Sequence, residues 1–132
     1  MAAAWSLVDR SDGQMLVEDL TIAQNPWQRL CGWQFKPRMP ANAGLLLVPC
    51  SSIHTCFLRF ELDLLWLDRQ GAVLSQVLGV QPWRLAFAPK GTWGVLELPS
   101  GSLDVDWTGR KLQLAPRRAP SGPLPSRLRP LA

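Results

Sequence analysis

A mainly β domain, an antiparallel β sandwich or flattened barrel carrying one short helix, is the fold that this 132-residue sequence predicts. Three observations lead there. Apolar and polar residues alternate over short runs, turn signals recur between those runs, and a single stretch has helical spacing.

The first two runs, "AWSLVD" and "MLVEDLTIA", read as strands joined by a turn at Ser11-Asp12-Gly13. In "QNPWQRLCGW", Asn25 fits a helix N-cap, Pro26 its first position and Gly32 its end, with Trp27, Leu30 and Cys31 on one face. "GLLLVP" is a short apolar run, as in a strand covered on both faces. A long central strand follows from about His54 to Leu67, in which Leu58, Phe60, Leu62, Leu64 and Trp66 oppose Arg59, Glu61 and Asp63. "AVLSQVLGV", "GTWGVLELP" and "RKLQLA" complete the set, punctuated by Pro82, Pro89 and Pro99. No internal repeat or second domain is visible.

Composition bounds the function. The net charge of +4 invites a nucleic-acid reading, but Arg117, Arg118, Arg127 and Arg129 carry all of it; residues 1–115 hold ten basic and ten acidic residues. The expected organisation is one β domain over 1–115 and a disordered Pro/Arg-rich tail over 116–132. No nucleic acid is therefore expected on the folded domain. No run approaches the roughly 20 apolar residues of a membrane span. "MAAAWSLVDRSDG" has no basic residue before a long apolar run, so no secretory signal is expected and the cytoplasm is the simplest location. Cys31, Cys50 and Cys56 are then free thiols by default.

"GLLLVPCSSIHTCFLRFELDLLWLD", "QPWR" and "VLELPSG", in this order and spacing, resemble the domain of unknown function (DUF) 192 family, over about Pro26 to Leu114. The resemblance implies a compact, mostly β domain with one short helix, and it implies no established activity. Leu58 stands where the family usually has Met, and Gly109-Arg110 where it usually has Gly-Asp. Cys56 replaces a commonly apolar residue, which weakens any role for its sulfur.

Three chemistries compete in the central motif. Cys50, His54 and Cys56 share strand parity, but three soft ligands without a fourth make an incomplete zinc site, so no metal is expected. A hydrolase or thiol enzyme would pair Cys50 with His54 and orient the imidazole with Asp63 or Glu97; no glycine-rich turn supplies an oxyanion hole before Cys50. The preferred reading is a non-enzymatic ligand-binding or accessory module built on a polar cluster of His54, Thr55, Arg59, Asp63, Trp83, Arg84 and Glu97. There His54 and Thr55 would supply hydrogen bonds, Trp83 a flat wall, and Arg59 or Arg84 a positive group for an anionic ligand. Glu97, an acid inside "VLEL", is expected to pair with an arginine, Arg59 or Arg84 before others. His54 is expected to lock a turn to the start of the central strand. No cofactor is implied; the partner would be an unknown small ligand or a protein. The enzyme is the main alternative and a protein-interaction domain the third.

Overall fold

The computed structural model describes residues 5–24, 38–56 and 58–117. The helix expected at 25–32 lies outside them, as does the tail beyond Arg117.

The domain is mainly β. Its strands are β1 (Trp5–Asp9), β2 (Met15–Ala23), β3 (Ala43–Leu47), β4 (Ser52–His54), β5 (Leu62–Leu67), β6 (Val73–Val80), β7 (Leu85–Phe87), β8 (Gly94–Pro99) and β9 (Leu112–Pro116). Seven of them form one sheet in the order β6-β5-β8-β3-β2-β1-β9, and β4 and β7 form a separate two-stranded ribbon. The large sheet is mixed rather than purely antiparallel: β2 and β3 run parallel, Asp19 to Ala23 beside Ala43 to Leu47. Parallel neighbours cannot be joined by a tight hairpin, and β2 and β3 are well separated in the sequence. β9 continues one residue past the expected domain boundary, and Arg117 forms an ion pair with Asp19.

The sheet curls until its two edges meet at one corner without closing into a barrel. A single bridge joins Ala72 to Lys111, supported by Leu112 N–H to Gly71 O at 2.8 Å and Val73 N–H to Arg110 O at 2.9 Å. Gly71 makes this approach possible. Its φ is +84°, and a Cβ there would stand 2.6 Å from the Leu112 carbonyl oxygen. Any L side chain would have to push the edges apart.

Two apolar clusters lie on opposite faces of the sheet. The concave face gathers Leu7, Val17, Leu20, Leu46, Leu65, Val73, Leu96, Leu98 and Leu112 from the strands of the large sheet, together with Trp107. The outer face holds Leu45, Leu47, Leu62, Leu64, Trp66 and Val95, covered by Met39, Ile53 and Leu58. Alternation along β5 and β8 produces this division, because successive side chains point to opposite faces. Every residue of both strands is buried except Pro99 at the end of β8.

The expected long central strand is broken. β4 ends at His54 and belongs to the ribbon, whereas β5 begins at Leu62 in the main sheet. Thr55 causes the break by turning its backbone and hydroxyl towards the loop at Gln81–Arg84. That loop leads into β7, which lies against β4.

Candidate functional site

Thr55 is fully buried and organises the region. Its hydroxyl donates to Gln81 O at 2.7 Å and accepts from Arg84 N–H at 2.8 Å. Its own N–H donates to Arg84 O at 2.8 Å, and its carbonyl accepts from Trp83 N–H at 3.0 Å. The loop cannot move without breaking several buried bonds. This is the locking role expected of His54, and the structure gives it to the next residue. A hydroxyl can donate and accept at once within a tight, dry space, whereas an imidazole is too large for it.

Held this way, Trp83 adopts a left-handed backbone with φ of 63°, uncommon for a bulky residue, and presents an indole that is 58% exposed. Arg84 folds back on its own loop, with Nη2 donating to Gln81 Oε1 at 3.2 Å and Nη1 to Trp83 O at 3.4 Å. β7 then runs antiparallel to β4, pairing Leu85 with His54, Ala86 with Ile53 and Phe87 with Ser52. Ile53 and Ala86 pack inward on the outer cluster. Leu85, Phe87, Ser52 and His54 face outward, Leu85 at 69% and Phe87 at 74% exposure.

Cys50 Sγ lies 3.1 Å from Ser52 O, a donor to a carbonyl and not to His54. Among the described residues, no hydrogen bond or carboxylate partner is found for the His54 imidazole, and no three His, Cys, Asp or Glu side chains are placed to hold a metal ion. Among the described residues, Cys50 and His54 do not form the hydrogen-bonded pair that a thiol enzyme would need.

The polar residues singled out in the sequence do not form one cluster. His54, Thr55, Trp83 and Arg84 come together at the ribbon. Arg59 is exposed and makes no ion pair among the described residues. Asp63 is buried on the concave face, where Oδ1 accepts from Gly79 N–H at 2.9 Å and Oδ2 from Gly101 N–H at 3.0 Å. It ties β6 and the turn after β8 to β5. Glu97 lies on the other face, between Leu45 of β3 and Leu64 of β5. Only 6% of it is exposed. The expected pairing of Glu97 with Arg59 or Arg84 is not formed among the described residues. Burial pushes its pKa up to about 8, so it is protonated at neutral pH.

Sequence reasoning missed Leu85 and Phe87. The signal was there in "LAF" between Pro82 and Pro89, a two-residue alternation too short to read as a strand.

Two solved structures share the fold. One is a proposed transcription regulator from Sinorhizobium meliloti 1021, with a TM-score of 0.72, 19% identity, 86% of this chain covered and 97% of that one. The other is a protein of unknown function from Novosphingobium aromaticivorans DSM 12444, with a TM-score of 0.71, 16% identity, and 85% and 84% covered. No curated protein matches the chain. The sequence profile of DUF192, described as an uncharacterized ACR, matches residues 7–108. The chain belongs to the DUF192 family.

Proposed function

We propose that the domain is a non-enzymatic accessory module that docks an extended segment of a partner protein along β7. The observation that carries this reading is the outward face of the ribbon. Trp83, Leu85 and Phe87, at 58%, 69% and 74% exposure, stand at alternate positions through the loop and β7. Large aromatic and aliphatic side chains gathered this way mark interaction surfaces, whereas isolated ones do not.

The backbone adds a mode of binding. β7 pairs only with β4 among the described residues, through Ala86 and the flanking Arg84 and Ala88. The N–H and C=O groups of Leu85 and Phe87 lie on the opposite edge, where an incoming strand would meet them. Charge selects the partner. Residues 50–59 and 81–91 contain His54, Arg59, Arg84 and Lys90 and no Asp or Glu. The segment that fits alternates apolar and acidic residues, apolar ones against Leu85 and Phe87. Two copies of this positive ribbon would repel each other, which argues against self-pairing. His54, Trp83 and Arg84 contact the partner in this reading, and Thr55 positions them. Asp63 and Glu97 serve the fold.

A photoreactive phenylalanine analogue at Phe87, expressed in the native host, tests the proposal. A discrete protein adduct is expected, mapping to an acidic-apolar stretch, absent when the analogue replaces exposed Met15 and lost on Leu85→Asp. Adducts no more specific than those at Met15, or adducts to nucleic acid or a second copy of the chain, would overturn it.

A further inference from the structure

Away from the ribbon, the curled sheet leaves a cavity of about 570 Å3 at one of its open ends. Leu46, Val48 and Leu67 are buried at its floor, and the partly buried Ile22, Trp93 and Leu114 form its walls. The mouth is polar and positive: Arg10 and Arg69 stand on it with a single carboxylate, Asp68. Asp68 Oδ1 is engaged by Gln70 N–H and Ala72 N–H, each at 2.9 Å, and shapes the turn after β5. Neither arginine makes an ion pair among the described residues.

We infer that this cavity binds a small amphiphilic anion, its apolar body among Ile22, Leu46, Val48, Leu67, Trp93 and Leu114 and its carboxylate at Arg69 or Arg10. The volume lies within the roughly 300–1,000 Å3 of small-molecule sites, and apolar walls with a few converging polar groups are their usual composition. An anionic head is favoured because two guanidinium groups line the mouth against one carboxylate, whose Oδ1 is engaged by two backbone N–H donors, and guanidinium binds carboxylate in a forked geometry. A cationic head would meet two like charges. The site is separate from the ribbon and does not depend on the docking proposal.

Calorimetric titration of the full chain with decanoate, decan-1-ol and decyltrimethylammonium tests it. Decanoate should bind one to one, about tenfold or more tighter than the alcohol, and the cation should not bind. Replacing both Arg69 and Arg10 by Ala should bring decanoate down towards the alcohol's affinity. Leu114→Trp, which fills the cavity, should abolish binding while leaving the thermal midpoint in place; Ile22→Trp serves the same purpose should Leu114→Trp fail to fold. Absence of saturable decanoate binding would overturn the inference. So would equal affinity for all three probes, or binding that survives a filled cavity in a folded variant.

Discussion

Glu97 makes the fold's stability depend on pH in a direction that an ion-paired carboxylate would reverse. The side chain is 6% exposed, lies between Leu45 and Leu64, and has a pKa raised by burial from 4.5 to about 8. Between those two values the folded protein holds a proton that the unfolded chain has released, so stability falls as pH rises. Each pKa unit is worth about 1.4 kcal/mol, giving a cost of about 3 kcal/mol at pH 7 that approaches 5 kcal/mol above pH 8. Against a typical domain stability of about 5–15 kcal/mol this is a large fraction. Glu97→Gln retains the shape of the protonated acid and removes the ionisation. Urea unfolding of both proteins at pH 5, 6, 7 and 8 isolates the effect, since all other groups titrate alike in each. The stability of Glu97→Gln relative to the parent should rise by about 3–4 kcal/mol from pH 5 to pH 8. A difference constant to within about 0.5 kcal/mol would refute the protonated buried carboxyl. A difference that falls with pH would mean that a cation stabilises the ionised form.

Other substitutions probe single elements. Thr55→Val leaves Arg84 N–H and Gln81 O without their partner in a buried site and should cost about 1–3 kcal/mol, read as a lower thermal midpoint. Asp63→Ala removes the acceptor for Gly79 and Gly101 N–H, and urea unfolding should register a loss of about 3 kcal/mol or more. Gly71→Ala forces a Cβ against Leu112 O at positive φ; hydrogen exchange should then show the Val73 and Leu112 amides opening first. Phe87→Lys should change stability by no more than about 0.5 kcal/mol, because the side chain covers little in the folded chain.

The legible part of the fold was the part governed by alternation. β1, β2, β3, β6, β8 and β9 coincide closely with runs visible in the sequence, because one face of each strand must be apolar or both must be. β5 was visible, but its join to β4 was misread. The parity of Leu58 through Trp66 is continuous in sequence, and only the hydrogen bonds of Thr55 to residues far along the chain reveal the break. Those contacts have no local signature. Likewise the parallel β2–β3 pair depends on how a crossover is routed, which periodicity does not encode. Asp63 and Glu97 both interrupt apolar strands, and sequence alone made them equivalent. Their strands place them on opposite faces, one met by two backbone N–H groups and the other by apolar neighbours. His54, Trp83 and Arg84 were found together because a His-Thr pair and a Trp-Arg pair each stood beside a strand end. The apolar residues that give that surface its character, Leu85 and Phe87, were hidden by the shortness of β7.

The docking surface itself is tested most directly by the backbone amides of Leu85 and Phe87. The segment mapped by crosslinking, prepared as a synthetic peptide, should slow hydrogen exchange at these two amides, and Ala86 N–H, already bonded across to β4, should change far less. Leu85→Asp should abolish the protection while the thermal midpoint holds. Binding of that peptide with no protection at Leu85 and Phe87, or with protection confined to other strands, would contradict the account.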